Sequence, residues 1–483
     1  MYIKKSFLQP LTAALLMIFF SVLTGLITAQ TTEVWRYGYR ETPGEVLEDS
    51  YDLIAYTLSG EVATVIEGLD DEPRLFNLGE SQVLALVEED EVDTWYEIIG
   101  TDAASIDIES GDDPEYFAAS VLISYRAPYA LLSSGRIGDR LVVIDLENHT
   151  ARLTEHGAVY SLTNCCVVTE AGTIRYYAQM LTDDGRQDAF IELDPESGEE
   201  RILFDDENRH MGFVNQSGDQ WLLFVNQPDA KERTTIVWQD GEEISRTTAP
   251  LAMRTTWIGD ALLTNDALCE ENCEFTLQTR DGETITFPVT FPDAGEGSAR
   301  LFYPNRFSPD GGLLGQLNDP DQIVKITTEG EIEVLGNISY QSLTTNGSGM
   351  ISSDGRFAAV VPDPDEGGFA VIDTETGEAV IRSDAETVPN FANVLFFPEG
   401  ALAVSYTGGD ATTFYYRVSD QQLFEIASSN LRFVEVVDDE TLLYFDRNED
   451  TRLPVIGLYT LDTGERQTVV EGVFPLPARP ALR

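Results

Sequence analysis

Asp446, Asn448 and Asp450 have the most suggestive metal-binding spacing in the chain. In Asp446-Arg-Asn448-Glu-Asp450, oxygen donors stand at alternate positions, as a calcium loop needs. The EF-hand continuation is missing. Thr451 occupies the place of the loop's glycine and Gly457 that of its bidentate glutamate. A solvated acidic turn accounts for the run without an ion, so no cofactor is required, and calcium is the one these residues suggest.

Four cysteines offer redox rather than metal chemistry. Cys269 and Cys273 flank Glu-Glu-Asn between two strand-like runs, and residues facing each other at a hairpin mouth can reach disulfide distance. A Cys269–Cys273 bond is therefore expected, closing a loop too small to constrain much of the unfolded chain. The adjacent Cys165 and Cys166 could form a vicinal disulfide or stay reduced on opposite faces of a strand.

Catalytic constellations are sparse. The three histidines, His149, His156 and His210, read as exposed residues of loops and strand ends. There is no Gly-x-Ser-x-Gly elbow, no phosphate-cradling glycine loop and no α/β stretch able to house a hydrolase domain. A glycosidase would need only two or three carboxylates, and among 84 acidic residues the sequence does not single them out. No catalytic or cofactor-binding residue is assigned.

The elements that would position such groups are strands. A run of alternating apolar and polar residues, a tight turn and a second short strand recurs as LIAYTLSGEVATVI, LVVIDLENHTARLT, AFIELDPESGEERIL, FAVIDTETGEAVIR and IGLYTLDTGERQTV. Glycine at most of these turns supplies the positive φ that a hairpin requires. The hairpin recurs about ten times at intervals of roughly 45 residues, with two further strand-like runs ahead of most copies. Four strands per repeat make one propeller blade, which buries its faces only against neighbouring blades. The expected fold is all-β: a propeller over residues 31–483, with a single ring preferred to two smaller ones. Closure should pair the segment near Trp35–Tyr39 with the final repeat, because an open ring leaves an unpaired edge.

Some repeats also resemble a known family. FSPDGG (Phe307–Gly312) and ISSDGRFAAVV (Ile351–Val361) resemble the Ser-x-Asp-Gly turn of TolB-type, WD-like propeller repeats. FDRNEDTRLPVIGLYTLDTGE (Phe445–Glu465) is similar to a half-blade of the same family. The resemblance implies the propeller fold and leaves activity open, since such propellers serve as scaffolds, sensors and occasionally enzymes.

Compartment and charge complete the reading. Lys4 and Lys5 precede the apolar run Leu11–Ala29, so residues 1–30 form a signal peptide or, if retained, an N-terminal anchor. The chain is then extracytoplasmic, secreted or associated with the cell envelope. A net charge of −54 excludes a general nucleic-acid binder. The function expected from the sequence is a non-enzymatic exported propeller whose faces bind a protein or small ligand. The alternative is a carbohydrate-active enzyme, a glycosidase or lyase, with carboxylates or a metal in its channel.

Overall fold

The computed structural model describes residues 34–480 apart from short segments between strands, the longest being 109–120 and 292–301. Residues 1–30, with the expected signal segment, lie outside the described residues. Among the described residues no helix is long and apolar enough to cross a membrane, which says nothing of a β-barrel.

The protein is an all-β propeller built largely of four-stranded antiparallel sheets. In chain order they cover 74–108, 121–158, 166–206, 209–250, 253–290, 302–337, 357–382, 391–427 and 432–471. The first three are stitched into one 13-stranded network. Thr150 and Ala151 run parallel to Asp107 and Ile108, while Gly157 and Ala158 pair with Gln179 and Ala178. A further sheet mixes both ends of the chain: Arg36–Thr42, Ser50–Tyr56 and Val62–Leu69 are completed by Phe474–Pro475. Tyr39 faces Phe474 and Gly38 faces Pro475, the closure expected from the sequence. A Cβ on Gly38 would stand 2.4 Å from the Phe474 carbonyl oxygen, so only glycine lets the two strands approach this closely.

Burial falls from the middle of each sheet to its rim. Central strands such as Arg140–Asp145 and Gln322–Ile326 are buried along nearly their whole length, because a neighbouring sheet covers each face. Rim strands such as Glu242–Pro250 are mostly exposed. The apolar clusters lie between sheets rather than within them. Ile258, Phe275 and Val289 pack against Phe302 and Leu313 of the next sheet. Leu443, Ile456 and Val470 of the last sheet pack against Ile54 and Tyr56 of the closing one.

Hairpin turns repeat one device. Asp145 and Asp373 end their strands and Asp194 follows its own, and each carboxylate accepts the backbone N–H groups two and three residues on. Four residues after the aspartate, Gly198 and Gly377 adopt φ of 75° and 72°. His149 holds the same place in its own turn, at φ 52°.

The Ser-x-Asp-Gly turns are equally specific. Ser352 Oγ accepts the Phe357 N–H at 2.8 Å, and its hydroxyl contacts Asp354 Oδ1 at 2.6 Å. Ser308 donates to Asp310 in the same way. Asp310 in turn receives Lys325 Nζ at 2.9 Å, and Lys325, only 5% exposed, also donates to the Thr374 carbonyl of the next sheet at 2.6 Å. A buried cation thus joins the 302–337 and 357–382 sheets.

Candidate functional site

Among the described residues, two places bring chemically capable side chains together. The first is a cavity of about 380 Å³ where the closing sheet meets its neighbours on both sides. Trp35, Tyr37, Tyr56, Leu443 and Leu476 form much of its wall. Two polar tethers hold the entry of the first strand. Trp35 N–H donates to Ser81 Oγ at 2.9 Å, and Tyr37 Oη donates to the Ser81 carbonyl at 2.9 Å. Burial pushes the Tyr37 phenol up to about 12.

The charged feature of this cavity is a two-point ion pair. Arg36 Nε and its terminal NH2 reach the two oxygens of Glu435 at 2.9 and 2.6 Å. Fork-to-fork geometry of this kind fixes direction as well as charge. The guanidinium is 14% exposed and the carboxylate 40%, so the pair has a solvent-facing side on which a ligand can compete. Burial drives the Tyr56 phenol beside the pair well above its ordinary range, against the pull of Arg36.

The second place is the 121–158 sheet, which sends a histidine toward each neighbour. His149 Nε2 lies 3.0 Å from Glu97 Oε2 of the preceding sheet, and Glu97 also accepts Gln82 Nε2 at 2.7 Å. On the other side, His156 Nδ1 lies 2.7 Å from Glu200 Oε2 of the following sheet. The Glu155 N–H donates to the second oxygen of the same carboxylate at 2.6 Å. Glu200 is only 5% exposed.

These positions correct the reading of His156 as an exposed loop residue; His149, 40% exposed in its hairpin turn, stands as read. Each sits at a seam between sheets and faces a carboxylate less than a tenth exposed. The repeat length already held the signal: residues about one repeat apart touch across a seam, as His156 and Glu200 do at a separation of 44. His210 stands in the strand Arg209–Val214.

The calcium candidate residues form a hydrogen-bonded turn. Asn448 Oδ1 accepts the N–H groups of Asp450 and Thr451, and its amide donates to Glu471. Asp446 lies one residue before the end of the strand Thr441–Arg447 and accepts the Arg447 N–H. Cys166 and Cys273 are both disulfide-bonded, while Cys165 and Cys269 lie outside the described residues.

No known protein family matches the sequence, and no curated protein is similar to it. Solved structures are similar at low identity. One is the acylaminoacyl peptidase of Pyrococcus horikoshii: 13% identity, 73% of this chain and 52% of that one, TM-score 0.31. Another is the β-propeller domain of the trilobed protease from Pyrococcus furiosus: 12% identity, 73% of this chain and 98% of that one, TM-score 0.31. A third is a prolyl endopeptidase: 9% identity, 81% of this chain and 55% of that one, TM-score 0.39.

The chain spans about half the length of the acylaminoacyl peptidase and of the prolyl endopeptidase. The expected non-enzymatic scaffold, with a carbohydrate-active enzyme as its alternative, is corrected by this finding. Structures similar to the chain include the peptidases just described. The sequence misled because a propeller's repeats encode its packing and leave its chemistry to a few side chains.

Proposed function

We propose that the chain is a β-propeller of an exported, peptidase-like protein, and that the closure cavity receives peptide segments. The observation that carries this reading is the Arg36–Glu435 pair set into an apolar-walled cavity. A pocket of a few hundred Å³ with aromatic walls and one oriented polar pair suits a short amphipathic segment. Arg36 can turn to a peptide carboxylate or carbonyl, and Glu435 to an amine or guanidinium. The names of the structurally similar peptidases suggest which ligand class to try first and carry no further weight.

Export rests on the basic pair and apolar run at residues 4–29. The Ser-x-Asp-Gly turns support repeats of the TolB type. Apolar packing of the last sheet on the closing one supports a single ring.

Binding can be read from tryptophan emission, because Trp35 lines the cavity. Tri- and tetrapeptides with a free carboxylate should change that emission saturably. Arg36→Gln should weaken binding about thirtyfold or more, as expected when one partner of a desolvated charge pair is truncated. An unchanged affinity in Arg36→Gln, or no saturable response in the parent chain, would refute the proposal.

A further inference from the structure

We propose that Glu155, His156 and Glu200 form a binding site for a divalent transition-metal ion of the Zn²⁺ class, in the seam between the 121–158 and 166–206 sheets. This goes beyond the peptide reading and rests on different residues.

The local backbone explains how the donors converge. Neighbouring residues of a regular strand point to opposite faces, so Glu155 and His156 should diverge. In the strand Thr150–Ala158 they do not. Val142 pairs with Leu153 but Arg140 pairs with Gly157, so extra residues bulge out across Thr154, Glu155 and His156. A bulge re-aims side chains. One donor atom from each of Glu155, His156 and Glu200 then lies within 4.8 Å of the others. The Arg140 guanidinium nearby donates to the backbone carbonyls of Leu153 and Thr154.

A second, independent observation points to an absent ligand. Tyr176, in the strand Ile174–Thr182, is 0% exposed, and its hydroxyl, buried beside Glu200, Thr154 and the His156 backbone, makes no well-formed hydrogen bond. It faces the same carboxylate: burial and Glu200 together push the phenol far above its ordinary value. A buried hydroxyl whose hydrogen bonds are poorly formed is costly. An ion drawn into the cluster would reposition Glu200, and Tyr176 could then donate to the ligating carboxylate, as outer-shell groups do at metal centres.

The donor set selects the ion class. One imidazole nitrogen and two carboxylate oxygens suit Zn²⁺ and its neighbours, with a fourth position left open. All-oxygen ions such as Ca²⁺ and Mg²⁺ gain nothing from the imidazole. Any proton held between His156 Nδ1 and Glu200 must leave when the metal binds, so affinity should fall as pH is lowered.

The test uses the full chain, stripped with EDTA and titrated with ZnCl₂ against a chromophoric chelator. About 0.15 M salt and excess Mg²⁺ should occupy the exposed carboxylates. One Zn²⁺ should bind tightly per chain. His156→Gln and Glu200→Gln should each weaken it more than about a hundredfold and Tyr176→Phe about tenfold, whereas His149→Asn should leave it unchanged.

A measurement on the unaltered chain guards against variants that misfold. The sequence has three histidines, and Zn²⁺ should shift the imidazole nitrogen resonances of one of them. Zn²⁺ binding that Mg²⁺ abolishes, equal affinity in folded His156→Gln, or no shifted imidazole would each overturn the site.

Discussion

The seam around Lys325 and the seam around Glu200 both bury a charged group between neighbouring sheets, and they are finished differently. Lys325 donates to Asp310 and to the Thr374 carbonyl, with Glu333 at 3.6 Å. Thr374 is itself tied back, its hydroxyl to the Gly355 carbonyl and its N–H to the Arg356 carbonyl. Glu200 has His156 and the Glu155 N–H, but the Tyr176 hydroxyl beside it makes no well-formed hydrogen bond. A buried network with its hydrogen bonds made specifies packing, whereas one with a donor to spare marks a place for something more.

Removing the buried charge should separate the two seams most. Lys325→Met strands Asp310 and the Thr374 carbonyl and should cost about 3 kcal/mol in denaturant unfolding. Glu200→Gln keeps the shape and one acceptor and should cost about 1 kcal/mol. Equal losses would break the comparison.

Next comes the turn that carries the Lys325 seam. Gly355 adopts φ +74°, and a Cβ there would stand 1.9 Å from the Phe307 carbonyl oxygen. Gly355→Ala should cost about 2–3 kcal/mol. The same change at Gly282, at φ +84° with open space around it, should cost only about 1 kcal/mol of backbone strain. Melting curves of the two variants measure the difference directly.

The smallest effects are those of pH, and they have opposite signs at the two seams. Burial tends to raise the Asp310 carboxyl, but Ser308 and Lys325 outweigh it and hold it below its ordinary 3.8. The stability it contributes is therefore complete above pH 3.8 and is lost as pH falls through the lower folded value. Tyr176 is raised above its ordinary 10.0, so its contribution is complete below pH 10 and is lost at higher pH. Asp310→Asn should flatten part of the acid limb of a pH–stability curve and Tyr176→Phe part of the alkaline limb. If both variants altered the same limb, the assignment would fail.

The Lys325 seam was half legible in the sequence and the Glu200 seam was not. Phe307–Gly312 and Ile351–Val361 advertise their turns, because serine, aspartate and glycine each have a local task within five residues. The closing contact of Tyr39 was readable for a similar reason, since a ring edge demands a partner. Glu155, His156 and Glu200 announce nothing locally; they meet because a bulge turns one strand's side chains toward a strand one repeat away. The repeat length was legible, and recurring contacts at separations of 43 to 45 show what it encodes: Glu155 with Glu200, Ser124 with Val168, Ser217 with Asp260. Which of those contacts would carry charge depended on the bulge.

The closing sheet also sets the order in which the molecule can be assembled. Contacts across an ordinary seam, such as His156 with Glu200, join residues 44 positions apart, and closing such a loop costs about 3 kcal/mol of chain entropy. Arg36 and Glu435 are 399 positions apart, for which the same relation gives about 5 kcal/mol. Neighbouring sheets can therefore dock early, while Arg36–Thr42 waits beside an empty edge until Phe474–Pro475 arrives. The slowest folding step and the first to reverse under load should both lie at this join, and the cavity held by Arg36 and Glu435 comes into being only with it.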